Sequence, residues 1–463
     1  MLKRSTEKFT PRQIVQQLDK YIIGQEDAKK QLAVAYRNKW RRSQASPELQ
    51  KEIIPTNMLV IGPTGTGKTE CARRLANITD APFIKVEALK YTERGYIGGD
   101  VNEIIRGLAD VSFNMVKKAK QQEVREKAMH NVQEIILDTL IPRAIPQVEN
   151  QNPTLDEKGN EKKDQNEVTR QRFRRKLENG ELDHYTIEIR IQSSSSPFGN
   201  MGLVGGAMDE SAMINLENFF TKMMPKNTKK KKVTIKEATK ILLEEEMNNL
   251  LDMEAVKEEA RQKAENEGIV FIDEIDKIAS SSKKTNGPNV SREGVQRDLL
   301  PIVEGCPVNT KYGPINTDHI LFIAAGAFHI AQPSDLLPEF QGRFPIRVKL
   351  EALSKEDFEK ILTKKTSSLI EQYQALFKAE DVTLTFDKAA IKEIAHLAYE
   401  CNQKMENIGA RRLRTVLNHL LSERLYDVPD KIEPGQNVHI DVASVKERLS
   451  SLIQEQDTSR YIL

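Results

Sequence analysis

Cysteine is scarce in this chain. Cys71, Cys306 and Cys401 are the only three in 463 residues, and they form no C-x-x-C pair and have no paired histidine. That spacing excludes a disulfide framework and a Cys/His zinc module, and leaves reduced thiols of a cytoplasmic protein as the expectation. Long apolar runs are missing too. None approaches the roughly 18 residues of a membrane span, and the N-terminus carries no apolar signal segment, so no membrane partner is expected. Neither charge sign dominates: 70 basic residues face 68 acidic ones, a net charge of +2. Such a balance gives no global pull toward nucleic acid, and no nucleic-acid partner is expected. The motifs H-E-x-x-H and G-x-S-x-G do not occur. The S-x-x-K spacing is met by Ser280 with Lys283 and Ser281 with Lys284, but in a polar loop. No peptidase chemistry of the chain's own is therefore expected.

What the chain does carry is led by the stretch Ile61-Gly62-Pro63-Thr64-Gly65-Thr66-Gly67-Lys68-Thr69-Glu70. A short apolar run, Met58 to Ile61, precedes it and suits a buried parallel strand, while Cys71 to Ala76 has helical character. Strand, glycine-rich turn and helix are the context that a G-x-x-x-x-G-K-[ST] phosphate loop requires. Glycines let backbone N–H groups close around a polyphosphate, and the helix turns its positive end toward it. Lys68 is expected to reach the β- and γ-phosphates, and the Thr69 hydroxyl to ligate Mg²⁺. The spacing points to a nucleoside triphosphate.

The rest of the chain, long enough for about two to four domains, can be read around that loop. Thr10 to Arg42 looks helical from a Thr10-Pro11 cap, with an apolar turn, Tyr21 to Gln25, inside it. That turn is either core or a wall for a nucleobase. Phe83 to Glu87 is a second strand candidate. Gly95-Tyr96-Ile97-Gly98 sets an aromatic–aliphatic pair between glycines, which is either a packed turn or a mobile paddle. From about Ser112 to Arg261 the sequence becomes highly charged, with a polar stretch at Asn150 to Gln165 and a lysine run at Lys229 to Lys232. It reads as an inserted, partly flexible domain, and the lysines as a solvated face. Ile269 to Ile272 is an apolar strand that delivers Asp273 and Glu274, suited to holding the Mg²⁺ shell and to polarising the attacking water. Asn289 to Glu304 reads as a helix, and His319 to Ala325 and Ile346 to Val348 as strands. Arg343 sits on a Gly-Pro-bounded turn that could deliver a guanidinium to a γ-phosphate. Beyond Ala352 the pattern is mainly helical, with strand candidates at Val382 to Phe386 and Val438 to Val442. Gly409-Ala410-Arg411 opens a helix that is either a charged face or a nucleotide-state sensor. The last residues, Arg460-Tyr461-Ile462-Leu463, turn apolar, as a docking peptide would.

With the phosphate loop, the Asp-Glu strand, the Gly-Arg segment and the Gly-Ala-Arg helix in order, the chain resembles AAA+ ATPases of the Clp/Hsp100 type. Within that family it looks like the unfoldases that work with a separate threonine peptidase and lack an N-terminal zinc module. The resemblance implies an α/β fold: a P-loop NTPase domain with a parallel sheet, an inserted mostly helical domain, and a smaller, mainly helical α+β domain at the C-terminus. The expected boundaries are 1–111, 112–261, 262–351 and 352–463, the first and third forming the nucleotide-binding domain. It implies ATP and Mg²⁺ as cofactors, Ile23 at the adenine, and Gly65, Thr66, Gly67, Lys68, Thr69 and Glu70 around the phosphates. Asp273 becomes the metal residue together with Thr69, and Glu274 the catalytic carboxylate. Glu339 and Arg343 match a Pro-Glu-x-Gln-Gly-Arg segment whose Arg acts on a neighbouring subunit's nucleotide, and Arg411 matches the second sensor. Tyr96, with Gly95, Ile97 and Gly98, matches the pore loop that grips protein substrates. Arg460 to Leu463 match the tail that docks into the peptidase, with Tyr461 in place of the family's Phe. A homohexameric ring follows from the same resemblance. Two other classes share this nucleotide core: a nucleic-acid motor, and a chaperone without a peptidase.

Overall fold

The computed structural model describes residues 9–53, 56–91, 100–141, 165–192, 228–279, 290–364 and 368–449. In chain order its strands are β1 (Met58–Ile61), β2 (Phe83–Glu87), β3 (Thr186–Gln192), β4 (Thr228–Thr234), β5 (Ile269–Asp273), β6 (Pro307–Thr310), β7 (Gly313–Asn316), β8 (Leu321–Gly326), β9 (Ile346–Lys349), β10 (Thr383–Phe386) and β11 (Asn437–Ile440). Two compact units result: one spans Phe113–Glu259, and the other holds the flanking parts of the chain.

The larger unit is built on a five-stranded sheet in the order β2-β5-β8-β1-β9, parallel throughout. Its inner strands β1, β5 and β8 are continuous apolar runs because both faces are covered, whereas the edge strands β2 and β9 alternate with charged residues. Successive side chains alternate between two cores. Leu59, Val270, Ile272, Phe322 and Ala324 enter one, and Met58, Val60, Phe271, Ile323 and Ala325 the other. Each large apolar side chain so buried contributes roughly 1.5–3 kcal/mol, and β5 and β8 supply such residues to both sides at once.

The N-terminal helical stretch divides into Pro11–Leu18 and Glu26–Ser43. Thr10 caps the first by a reciprocal pair of bonds with Gln13. The break falls where Gly24 and Gln25 take left-handed backbone, φ +63° and +60°. The C-terminal part, from residue 353 on, packs the helices Lys355–Thr363, Leu369–Lys378, Lys388–Lys404 and Arg411–Asp427 with the parallel pair β10–β11. Phe358, Phe377, Leu384, Leu417 and Ile440 fill its core. Ser354 and Ser368 each close a capping box at the start of a helix there.

The smaller unit has its own core of Val132, Ile136, Ile187, Ile189, Val233 and Ala238. It contains the antiparallel pair β3–β4, in register from Thr186↔Thr234 to Gln192↔Thr228. That ladder was not among the strand candidates above, although Ile187, Ile189 and Ile191 alternate with polar residues at the strand period. Lys230, Lys231 and Lys232 of β4 are exposed, as a solvated face requires. The hairpin β6–β7 was likewise not anticipated; Gly313, at φ +106°, opens its return strand.

Asn57 anchors the start of β1. It is buried, its Oδ1 accepts the Phe322 N–H at 3.1 Å, and its carbonyl accepts Ile346 N–H at 3.5 Å. Asn57→Ala would leave the Phe322 amide buried without its partner. A destabilisation of about 1–3 kcal/mol is expected, read as a lower urea midpoint with an unchanged slope; an unshifted midpoint would contradict it.

Candidate nucleotide site

The sheet sets the place of the site. β1 is followed in sequence by β2 at the far edge, while its own neighbours are β8 and β9, so the chain direction diverges at the carboxyl end of β1. Open parallel sheets bind ligands in that crevice. Gly62 donates to the Gly326 carbonyl at the end of β8 (3.2 Å), and the loop then turns into the helix Lys68–Thr79. Gly65 and Gly67 have φ +76° and +100°, conformations that a side chain resists. Gly67 occupies the N-cap with no side chain to bond the first-turn amides, which leaves those N–H groups for an anion. Thr66 is buried and its hydroxyl donates to the Pro63 carbonyl at 2.9 Å. Lys68 Nζ bends back onto the carbonyls of Gly62 (2.5 Å) and Pro63 (2.9 Å). Burial pulls its pKa below the ordinary lysine value; Asp273 and Asp276 oppose that, and Arg411 adds to it.

The acidic half arrives on β5. Asp273 Oδ2 lies 3.3 Å from Thr69 Oγ1 and 2.9 Å from Lys85 Nζ on β2. Residues 204 positions apart in sequence thus meet at one edge of the sheet. Glu274 donates its N–H to Asp273 Oδ1 (3.0 Å) and takes φ +57°, a turn that exposes its own side chain while Ile275 is buried.

A cavity of about 950 Å³ adjoins the loop, with Tyr21, Ile23, Glu70, Arg74, Tyr373 and Arg411 in its wall. Arg73, Lys364 and Arg414 line it too, so cations outnumber the single carboxylate of Glu70. Burial would raise the Glu70 carboxyl, but bonds from Arg73 and Arg74 hold it below the usual range. The Arg74 guanidinium lies 4.0 Å from the centre of the Tyr21 ring. Gln25 makes two bonds to the Glu351 backbone, at 2.8 and 3.0 Å, and so fixes the turn that carries Ile23. On the far side Ala410 donates to the Gly65 carbonyl at 3.0 Å. Contact there is backbone on backbone: a Cβ on Gly65 would stand 1.9 Å from the Ile408 carbonyl oxygen.

Comparison with known proteins matches this chain to a family. Residues 58–137 match the ATPase family associated with various cellular activities, 196–347 the AAA domain (Cdc48 subfamily), and 353–440 the C-terminal, D2-small domain of ClpB protein. The chain is 54% identical over 461 residues to the ATP-dependent protease ATPase subunit HslU of Cytophaga hutchinsonii, covering 98% of each. Its identity to HslU of Persephonella marina is 50% over 460 residues, with 99% of both chains covered. For HslU of Thermotoga petrophila it is 49% over 468 residues, 99% of this chain and 100% of that one. The chain belongs to the HslU family. Nucleotide binding follows from its AAA ATPase domains.

Against the residues expected of an HslU-type site, Lys68, Thr69 and Asp273 converge, and Ile23, Glu70 and Arg411 share one cavity wall. Glu339 and Arg343 do not join them. Arg343, about half exposed, pairs with Glu304 at 2.9 Å. It is also not on a turn: it ends the helix Pro338–Arg343. Pro338 stands in the first turn, where its missing N–H costs nothing, and so the helix runs through Gly342. Gly95 to Gly98 and Arg460 to Leu463 lie outside the described residues. Sequence reading named Gln25 within the Tyr21–Gln25 turn without its bonds to Glu351, and gave Arg74 no role, although it adjoins the singled-out phosphate loop.

Gly65→Ala should weaken binding of a fluorescent ATP analogue at least about tenfold, because the loop must move away from Ile408 or adopt strained backbone. Undiminished affinity would contradict the close approach described here.

Proposed function

We propose that this chain is the ATPase subunit of a two-component protease. It hydrolyses ATP, unfolds protein substrates and threads them through the pore of a homohexamer into the separate peptidase HslV, in the cytoplasm. The reading rests above all on the convergence of Lys68, Thr69 and Asp273 beside a cationic cavity. Full-length similarity to proteins named as ATPase subunits of an ATP-dependent protease supports it.

The donors fit Mg²⁺. One carboxylate, Asp273, and one hydroxyl, Thr69, stand 3.3 Å apart, and Mg²⁺ commonly takes one or two such protein oxygens with phosphates and water completing the shell. When bound, the ion neutralises charge between the β- and γ-phosphates. The loop amides and Lys68 orient the polyphosphate, and the exposed Glu274 carboxylate positions and deprotonates the attacking water. Arg411 reports the nucleotide from the C-terminal helix. Arg343, with Glu339, completes the site of the next subunit. Tyr96 grips the translocating polypeptide, and Arg460 to Leu463 dock on HslV. The proposed division is a nucleotide-binding domain of 1–111 and 262–351, an insert of 112–261 and a small domain of 352–463.

Glu274→Gln should retain ATP binding and lose at least about a hundredfold in turnover; wild-type turnover would overturn its role. The decisive measurement is ATPase rate with and without purified HslV, for the full chain and for one lacking Arg460–Leu463. Stimulation severalfold that disappears with the deletion is expected. Basal hydrolysis with no stimulation in either chain would favour a chaperone without a peptidase.

A further inference from the structure

Asn402 lies on the helix Lys388–Lys404 and is 5% exposed, with no charge and no part in the nucleotide motifs. Its amide makes three bonds to one short stretch of chain. Nδ2 donates to the Gly409 carbonyl at 3.0 Å, and Oδ1 accepts from Ile408 N–H and from Arg412 Nε, both at 3.3 Å. Arg412, itself buried, donates in addition to the Glu406 carbonyl at 2.8 Å. Asn407 Oδ1 accepts the Gly409 N–H at 3.0 Å. The segment from Glu406 to Gly409 is therefore held by side chains, and Asn402 is the one that bonds both Ile408 and Gly409.

That same segment is the surface on which the phosphate loop rests. Ala410 donates to Gly65, and a Cβ on Gly409, at φ +58°, would lie 2.6 Å from the Gly65 carbonyl carbon. Contact between two glycine backbones has no side chain to absorb a displacement, so a shift of the loop must move the segment with it. Arg411 is the next residue but one after Gly409; it lines the cavity, and its charge reaches Lys68.

We infer that Asn402 is a positioning residue: it fixes the Ile408–Ala410 segment against Gly65 and thereby sets where the Arg411 guanidinium stands relative to the bound phosphates. This rests on the proposed role of Arg411 in ATP hydrolysis. The hydrogen bonds of Asn402 go to Ile408, Gly409 and Arg412 and not to the nucleotide loop, so it acts through the backbone of Gly409.

The test is a double-mutant cycle on the ATPase of the full-length oligomer. Asn402→Ala should lower kcat/KM for ATP about tenfold or more, since an ångström of misplacement costs up to about a hundredfold. In an Arg411→Ala background the same change should cost less than about threefold, because the group it positions is gone. A merely structural asparagine would give equal losses in both backgrounds, and that result overturns the proposal, as does an unchanged kcat/KM. Asn402→Asp is the second variant. It keeps an oxygen toward Ile408 and Arg412 and gains an ion pair that protects folding, but loses the N–H to Gly409. It should show the same non-additivity at a wild-type melting temperature; full activity would overturn the proposal. Arg411→Ala alone separates the two layers: if it leaves turnover intact, Arg411 is not in the site and the proposal falls with it. Persistent turnover in Glu274→Gln with an intact Asn402–Arg411 coupling would instead fault only the assigned water-activating carboxylate.

Discussion

β1 is four residues long and hydrogen-bonded on both sides, to β8 and to β9, in parallel register. Its carboxyl end is where a chain arriving from the core can go to either side, and the loop from Gly62 to Gly67 fills that point. β5 runs parallel to β8 one place over, so Asp273 emerges at the same edge. Once the order of these strands is fixed, the meeting of Lys68, Thr69 and Asp273 needs no further device. Asn57 holds the entrance of β1 to both neighbours and keeps the exit aligned.

The charges around that edge are each provided for, and in different ways. Asp273 has Lys85 and Thr69, and Glu70 has Arg73 and Arg74. Among the described residues, Lys68 has only carbonyl oxygens within bonding distance, and burial pulls its pKa down. Neutral carbonyls satisfy an ammonium's geometry without cancelling its charge. A polyphosphate does both, and so competes well for Lys68 while leaving the carboxylate pairs in place. The excess of arginine and lysine in the adjoining cavity acts in the same direction.

Much of this was legible in the sequence because the chemistry tolerates few alternatives. Only glycine suits Gly65 and Gly67 at positive φ, and only a short apolar run can deliver Asp273 from a sheet buried on both faces. The inner strands β1, β5 and β8 were readable for that reason, and all five strands to within a residue or two at their ends. β3 and β4 were passed over in a segment whose net impression was charge, although the isoleucine alternation was present. Arg343 was read on a turn because Gly342 and Pro345 punctuate the stretch; Pro338 in the first turn outweighs them locally. Asn402 illustrates a different limit. Its partners are backbone groups that only the tertiary fold brings within reach, and no spacing in the sequence encodes them.

On the proposed reading, in which Arg343 completes the site of the next subunit, one chain alone leaves the site incomplete. Arg343 belongs to a six-residue helix whose Phe340 is buried against Phe344, so the helix is fixed to its own core. Its guanidinium is held outward by Glu304, in a pair with side chains 43% and 40% exposed. Pairs of that exposure are worth about 0–1 kcal/mol, too little to lock an arginine. A phosphate presented by a second copy would offer a doubly charged, bidentate partner in place of a screened carboxylate. On the proposed reading, the exchange from Glu304 to phosphate is nearly free of penalty for the donor subunit. Its net gain is then set by how well the neighbour's Lys68 and Asp273 have placed the nucleotide. Hydrolysis in one site would in this way depend on the fit of two subunits, which is the coupling a ring motor needs.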